Sequence, residues 1–225
     1  MRKLLYISLL SSIILCMHGC GGNGSTALTK EQQDSIATAK ADSIRMADSI
    51  AAIEKAKEDS IARINAKEKE ERIAKISKNF REKKDEFSDF AWVEHKTTTP
   101  YRNRNSIHLS FQKDNNGNVQ NLRFVIQYEA DDWLFIRNMI FNIDGDNVTF
   151  IPNDMERDND YGRIWEWSDE PASLESSLVE KIANAKSVKV KFNGDQYYDT
   201  RTMSSKQIEA FKQTLDYYKT LGGSL

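Results

Sequence analysis

Residues 29–90 contain neither proline nor glycine, and this absence constrains the fold of the chain more than any other feature of its sequence. The stretch is rich in Ala, Lys, Glu and Ile, a composition that strongly favours a helix. Opposite charges lie one turn apart, as in Glu68 with Arg72 and Glu71 with Lys75, and such pairs stabilise a helix further. The sequence therefore predicts a charged helical stalk over residues 29–90, which would reach about 90 Å if it were helical throughout.

The apolar side chains of the stalk predict two short contact faces. Plotted at about 100° per residue, they form two narrow arcs on roughly opposite sides of the helix. Ile50, Ile53, Ile61 and Ile64 form the earlier arc, and Ile73, Ile76, Phe80 and Phe87 form the later one. A heptad seam over three or four heptads, which a long coiled coil needs, is absent. We expect the later face to dock on the domain that follows, and the earlier face to support a weak homo-association of the stalk.

The first residues of the chain have the pattern of a secretory signal peptide. Two positive charges, Arg2 and Lys3, precede an apolar run that ends at Met17. This run is shorter than the about 20 apolar residues that a membrane span needs. Cys16 and Cys20 are the only cysteines of the chain, so a disulfide framework and a thiolate zinc cluster are excluded from everything beyond them.

The end of this segment, "MHGC", resembles the lipobox of bacterial lipoproteins, in which the signal is cut just before a cysteine that becomes lipid-modified. The resemblance implies a signal peptide over residues 1–19, lipidation of Cys20 by acyl chains such as palmitate, and a flexible tether over residues 20–28. Gly21 stands where an Asp often marks retention in the inner membrane, so we expect a lipid-anchored protein of the cell envelope, with the outer membrane favoured. An ordinary secretory signal with an incidental cysteine is the alternative.

The tripeptide Asp-Ser-Ile begins at residues 34, 42, 48 and 59, although Asp and Ser are poor residues for a helix interior. The repeat resembles the acceptor motif of a general O-glycosylation system that acts on exported proteins of some Gram-negative anaerobes. The resemblance implies sugars on four serines, namely Ser35, Ser43, Ser49 and Ser60. The alternative is a repeat that expanded by duplication in a spacer.

Residues 91–225 have a different texture, rich in aromatic residues and punctuated by Pro and Gly, and they are long enough for one independent core. Alternating apolar residues predict strands at 106–111, 121–128, 131–144 with a bend near Asn138, 148–151, 163–169 and 187–192. Two helices are predicted, one opened by Pro171 and one capped by Ser204. The predicted fold class is α+β: a long N-terminal helix, then an antiparallel β-sandwich or curved sheet with one or two C-terminal helices.

Two segments of this β-rich globular domain, "ADDWLFIRNMIFNIDGDN" and "VKVKFNGDQYYDTRTMSSKQIEAFKQTLDYYKTLGG", resemble segments of bacterial envelope and phage-borne β-domains of unassigned function. With the lipobox, this resemblance implies a bacterial lipoprotein. It carries no catalytic motif.

Nothing in the domain predicts an enzyme, a metal site or a cofactor. His95 and His108 have no second metal ligand at helix or strand spacing, and neither a phosphate-binding loop nor a nucleophile elbow is present. The carboxylates between residues 154 and 160 approach the spacing of a calcium loop but lack its glycine and its final Glu, so we expect a solvated acidic loop there. The net charge of -2 also argues against nucleic acid as a partner.

Two function classes remain after these exclusions. The favoured one is a membrane-anchored lipoprotein whose stalk presents a β-rich binding module to a protein or glycan. Aromatic residues of the domain are the candidates for its ligand-binding face, namely Trp133, Trp165, Trp167, Tyr197 and Tyr198. The alternative is a structural or assembly lipoprotein that acts through helix association.

Overall fold

The structure is a computed structural model that describes residues 29–84 and 86–225. Its first element is the helix α1 (Lys30–Ser77). The chain divides into two units, one that ends at Ser60 and one that covers Ile61–Leu225. In the first unit every described side chain is exposed to solvent. Within the described ranges, none of the helices is long and apolar enough to cross a membrane.

The prediction that the stalk remains helical as far as Phe90 is wrong. The helix ends at Ser77, and two strands follow it, β1 (Phe80–Lys84) and β2 (Phe90–His95). They pair antiparallel, with Phe80 opposite His95, and Phe80 is buried. The sequence of β1 would suit a helix, but this burial and the hydrogen bonds to β2 outweigh that preference.

All ten strands of the second unit run antiparallel to their neighbours, in two sheets. The six-stranded sheet has the order β1-β2-β3-β4-β8-β7, and the four-stranded sheet has the order β10-β9-β5-β6. The remaining strands are β3 (Ser106–Asp114), β4 (Val119–Ala130), β5 (Asn138–Ile143), β6 (Asp146–Phe150), β7 (Glu156–Asp160), β8 (Arg163–Pro171), β9 (Val188–Asn193) and β10 (Tyr198–Thr202). The predicted α+β class is therefore confirmed, with a long N-terminal helix, antiparallel sheets and C-terminal helices.

Several strand predictions need correction. Residues 131–137 form no strand, and β5 begins only at Asn138, where a bend was expected. The predicted acidic loop contains the strand β7, whose backbone pairs with β8 although all its side chains are exposed. The strand β10 was not predicted, because its sequence, YDTRT, lacks a run of apolar residues.

The two predicted helices of the domain are present, one between β8 and β9 and one after β10. A short 3₁₀ turn (Ala172–Glu175) after Pro171 leads into α2 (Ser176–Asn184). The helix α3 (Ser205–Thr220) begins with a capping box, in which the Ser204 and Gln207 side chains each bond the other residue's backbone N–H. Gly222 follows its end with a φ of +106°, a conformation that glycine adopts without strain.

One hydrophobic core contains side chains from both sheets and from α3. Phe124 of β4 is at its centre, with ring centroids 6.2 Å from Phe141 of β5 and 5.9 Å from Phe211 of α3. Two residues of the later stalk face, Ile73 and Ile76, are partly buried and pack against this core, which confirms part of the predicted docking. The last residue of that face, Phe87, is instead 96% exposed.

A buried carboxylate fixes the irregular segment between β4 and β5. Glu166 of β8 is 0% exposed, and its side chain accepts the backbone N–H groups of Leu134, Phe135 and Ile136 at 2.8–2.9 Å. The Nε of Arg157 donates a fourth hydrogen bond at 3.0 Å. Phe135 has a φ of +54°, which is unusual for a bulky residue, and these bonds hold it there.

Candidate functional site

The six-stranded sheet has two chemically different faces. Because side chains alternate along a strand, β4 directs Phe124 into the core and its neighbours Val125 and Gln127 to the opposite face, which we call the cavity face. The register places His108 of β3 opposite Val125, and Trp167 of β8 opposite Gln127. The cavity face therefore gathers polar and aromatic side chains from neighbouring strands.

A cavity of about 290 Å³ lies on this face. Its walls come from β1, β2, β3, β4 and β8, and from the segment that joins β2 to β3, which contributes Thr99, Pro100 and Arg102. Trp92 of β2 contributes an aromatic side chain to the lining. A few convergent polar groups beside an aromatic ring are typical of sites for small ligands, although this cavity is at the small end of their range.

Glu94, the first carboxylate of the cavity, is held by two cations of β1. Arg81 donates to it at 2.7 Å and 3.1 Å, and the Nζ of Lys83 lies 3.2 Å away. Burial acts to raise the pKa of Glu94, but the hydrogen bonds from Arg81 and Lys83 outweigh it and lower this pKa below its ordinary value. Glu94 is therefore ionised at neutral pH.

Asp169, the second carboxylate, is also held by two cations. The Nε of Arg123 donates to it at 2.8 Å, and a guanidinium nitrogen of Arg102 lies 3.6 Å from its other oxygen. The Arg102 guanidinium also lies over the Trp167 ring, 5.3 Å from the ring centroid, in a cation–π contact. Both carboxylates of the cavity are thus neutralised by side chains of the protein.

Gln127 supplies the most unusual group of the site. Its side chain lines the cavity, and the residue is 5% exposed. Its Oε1 accepts no hydrogen bond, and within residues 29–84 and 86–225 it is the one buried side-chain oxygen or nitrogen without a partner. Leaving a buried acceptor unpaired costs about 1–3 kcal/mol, and a donor that formed a hydrogen bond to this oxygen would remove that cost.

His108 lines the same cavity in its neutral form. Its Nδ1 is 2.9 Å from the hydroxyl oxygen of Ser106, and its Nε2 has no hydrogen-bond partner among the described residues. Desolvation lowers the pKa of His108 to about 4, because the charged imidazolium is poorly solvated there. The ring is therefore uncharged at neutral pH and can donate or accept a hydrogen bond, depending on its tautomer.

The five aromatic residues proposed from the sequence do not form one surface. Trp165 and Trp167 lie side by side on the cavity face and are 9% exposed, and the Trp167 indole N–H donates to Glu156 at 3.0 Å. Trp133 is partly buried and stacks on Phe135 in the segment before β5. Tyr197 and Tyr198 are exposed beside and on β10, in the other sheet.

His95, the other histidine considered from the sequence, belongs to the packing of the core. His95 points into the core, where it meets the Phe80 ring edge-on and its Nε2 is 3.2 Å from Gln213 of α3. Burial lowers the pKa of His95. Over the described ranges, no three His, Cys, Asp or Glu side chains converge in a way that would hold a metal ion.

The predicted modification sites fall in two parts of the chain. Cys20, with the signal peptide and the tether, lies outside the described residues. The four repeat serines lie in α1 and are exposed, and the Ser43 hydroxyl donates to the carbonyl of Ala39 at 2.9 Å. That bond is the competing backbone contact expected of serine within a helix.

Sequence reasoning missed the cavity itself. Lys83 was assigned to the helical stalk, and Trp92, Arg102 and Gln127 were not singled out. The available signal was weak: Gln127 interrupts the apolar run of β4, where a strand buried on both faces would carry another apolar residue. The partners that complete the site are distant in sequence, so only the strand pairing brings them together.

Comparison with family models, with curated proteins and with solved structures finds no match to this chain.

Proposed function

We propose that this chain is a lipid-anchored envelope protein whose β-rich domain is a binding module, and that the cavity of the six-stranded sheet holds a small polar ligand. One observation carries the proposal: Gln127, whose Oε1 is buried and unpaired, lines a cavity. A sheet face with a purely structural role gains nothing from such a group, whereas a ligand that donates a hydrogen bond to it removes its cost.

The chemistry of the cavity favours binding over catalysis. Its two carboxylates, Glu94 and Asp169, are each held by two cations, so neither is placed to exchange a proton with a substrate. His108 is neutral, and no described carboxylate is in hydrogen-bond contact with it to orient it as a base. We therefore propose a module that needs no cofactor and no metal.

We also propose that the two sheets form a β-sandwich, which would support the cavity from behind. Tyr128 of the six-stranded sheet is 5.2 Å from Phe192 of the four-stranded sheet, and Phe124 is 5.7 Å from Phe150, between ring centroids. Contacts between the inner faces of two sheets are what a sandwich requires.

The binding proposal is tested by a mixture of small polar metabolites added to the isotopically labelled chain. The indole N–H signal of Trp92, assigned with Trp92→Phe, should shift when a compound enters the cavity, while that of the distant Trp133 should not. The proposal is wrong if two results are both negative. These are that no compound of the mixture shifts the Trp92 signal at about 1 mM, and that crystals of the protein soaked in the same mixture contain no ligand in the cavity.

The membrane anchor is proposed from the lipobox. A Cys20→Ala variant should leave the membrane fraction of the native host, because the acyl chains are its only attachment in this proposal. Retention of an intact Cys20→Ala chain in that fraction would contradict it. The partners proposed are thus a membrane, through the lipid, and a protein or glycan ligand, with no nucleic acid.

Glycosylation of the four repeat serines is a further part of this proposal, and their exposure in α1 makes them accessible to a transferase. The intact mass of the chain from its native host should exceed that of the lipidated polypeptide, and changing Ser35, Ser43, Ser49 and Ser60 to Ala should remove the excess. The helix content should be equal or greater, because Ala is the better helix former. An unmodified mass would leave the repeat as a spacer.

A second candidate function is assembly through α1. Large apolar side chains of this helix are exposed, including Met46 at 72% and Ile53 at 69%, and no residue of the helix is buried. Sedimentation of the chain over a range of concentrations tests this candidate, with Ile50→Lys and Ile53→Lys as the disrupting changes. A monomer at all concentrations would exclude self-association.

A further inference from the structure

We infer that the ligand of the cavity is an acidic sugar, meaning a hydroxylated ring with one acidic substituent. This inference rests on the proposed binding function and adds the chemical class of the ligand. It follows from three features of the cavity: the charges at its wall, the N–H donors that remain available there, and a lining that contains both an aromatic ring and a residue with an unpaired acceptor.

The charged residues at the cavity carry a local excess of positive charge. Two carboxylates of the lining, Glu94 and Asp169, are in direct contact with four cations, of which Lys83 and Arg102 also line the cavity, while Arg81 and Arg123 contact the carboxylates from outside the lining. The lining alone is balanced in charge, but the cluster of four cations and two anions has a net charge of about +2, whereas the whole chain has a net charge of -2. A cationic site on a mildly acidic protein favours an anionic ligand.

Two of these cations have donors left for a ligand. Arg81 and Arg123 lie close against their carboxylates, at 2.7 Å and 2.8 Å. Arg102 is only at ion-pair distance from Asp169, at 3.6 Å, and donates no hydrogen bond to any described residue. Among the described residues Lys83 has Glu94 as its single partner, and its ammonium has further N–H groups. Both side chains line the cavity and are about half exposed, at 52% and 47%.

The rest of the lining suits a hydroxylated ring. The unpaired Oε1 of Gln127 needs a donor, which a sugar hydroxyl supplies and a bare ionised carboxylate does not. The hydroxyl of Ser110 and the imidazole of His108 lie on the same face and add groups that can donate or accept. Trp92 supplies an aromatic surface for the C–H side of a ring. The cavity volume of about 290 Å³ is large enough for one sugar unit and too small to enclose a longer chain of sugars.

The experiment is a titration of the full chain with a panel of acidic sugars and their neutral parents. The panel contains glucuronate, galacturonate, mannuronate and N-acetylneuraminate as carboxylates, glucose 6-phosphate and galactose 6-phosphate as phosphates, and glucose, galactose and mannose as neutral sugars. The readout is the Trp92 indole signal together with titration calorimetry. We expect at least one acidic sugar to bind and its neutral parent to bind at least about tenfold more weakly, since a hydrogen bond to a charged group contributes about 1.5–3 kcal/mol.

Three variants locate the binding. Arg102→Gln and Lys83→Gln should each weaken it about tenfold or more and reduce its dependence on salt, and Gln127→Met should weaken it while leaving the salt dependence unchanged. Lys189→Gln is the matched control, because Lys189 is an exposed cation of β9 in the other sheet. It should leave the affinity unchanged. Thermal melting of each variant shows whether it is folded.

The outcomes separate this inference from the function on which it rests. Binding by the uronates alone or by the sugar phosphates alone supports the inference and identifies the acidic group. Equal binding of a neutral parent, or no binding of any acidic sugar at about 1 mM, overturns it. If the metabolite mixture perturbs Trp92 while every acidic sugar fails, the binding function stands and the ligand class is wrong.

Discussion

The core face of the six-stranded sheet contacts α3 and the second sheet through aromatic rings, whereas the cavity face buries an amide and hydroxyl groups and partly buries an imidazole on the same strands. Along β4 the change takes one residue, from Phe124 to Val125 and from Ile126 to Gln127. The core face also contains a carboxylate that is 0% exposed, Glu166, but its oxygens accept four hydrogen bonds. On the cavity face the buried Gln127 has an acceptor with no partner.

This comparison separates two reasons for a buried polar group. Glu166 is satisfied within the protein, so its burial organises the fold. Gln127 is not satisfied, so the fold gains nothing from its acceptor. Mutations on the two faces should therefore change the free energy of unfolding by different amounts. At Gln127 the sign of the change should be opposite to that on the core face.

The largest effect is expected on the core face. Phe124→Ala should lower the free energy of unfolding by about 3–5 kcal/mol, because it leaves a cavity among the rings of α3 and both sheets. Urea denaturation followed by circular dichroism measures it. Val125→Ala, one residue away on the other face, is the comparison and should cost much less. Equal losses would mean that the two faces are packed alike.

Glu166→Gln should lower the free energy of unfolding by about 3 kcal/mol, because an amide nitrogen replaces one acceptor and leaves a buried donor unpaired. The exposed Glu180→Gln, whose partner is Lys219 on the surface, serves as the control and should change little. A loss no larger than that of the control would show that the carboxylate does not hold the segment before β5.

The stability of the chain should fall between about pH 6.5 and pH 4 through His108. The pKa of this ring is lowered to about 4 in the folded protein from 6.5 in the unfolded chain, so the unfolded state binds the proton first on acidification. The contribution is fully present well above pH 6.5, and its loss is on the order of 3 kcal/mol at pH 4. Unfolding of the chain and of His108→Asn at several pH values isolates it, since His95 and the carboxylates titrate in both. Parallel pH profiles would contradict the assignment.

Gln127→Met should give the smallest effect and the opposite sign. Removing an unpaired acceptor while keeping the shape of the side chain should leave stability unchanged or raise it by up to about 1 kcal/mol. Gln112→Met, at a partly buried position of β3 whose Oε1 accepts from Gln120 at 3.2 Å, is the matched control and should not gain stability. A clear loss for Gln127→Met would show that its acceptor is satisfied within the protein.

How far the sequence predicts this molecule depends on how local each feature is. The hairpin of β5 and β6 is a local feature: the dipeptide Asp144-Gly145 is a strong sequence signal for a two-residue turn, and its φ values of +52° and +104° match that turn. The start of α3 was predicted from Ser204, because a capping box lies within four residues. The strand β1 could not be predicted in this way, since its partner β2 determines its conformation.

The candidate site was beyond local reasoning for the same cause. Lys83, Arg102 and Asp169 belong to three separate elements, and their chemistry is apparent only after β1 to β4 and β8 have paired. The aromatic residues that alternation did identify, Trp165 and Trp167, lie on the correct face of the sheet but beside the cavity. The alternation of side chains within one strand thus predicts which face of the sheet a residue lies on. The position of the site on that face depends on the order in which the strands pair.

Glu166 accepts hydrogen bonds from three backbone amides that lie outside any strand or helix. The carboxylate oxygens that accept these bonds belong to a side chain that water does not reach. The hydrogens of these amides exchange with deuterium only when their hydrogen bonds to the carboxylate break. Because the carboxylate is buried, the exchange also requires the surrounding core to open. The amides of residues 134–136 should therefore exchange as slowly as those of β4, while the neighbouring residues 131 and 132 exchange quickly. A segment that has the irregular backbone of a loop thus has the kinetic protection of a strand.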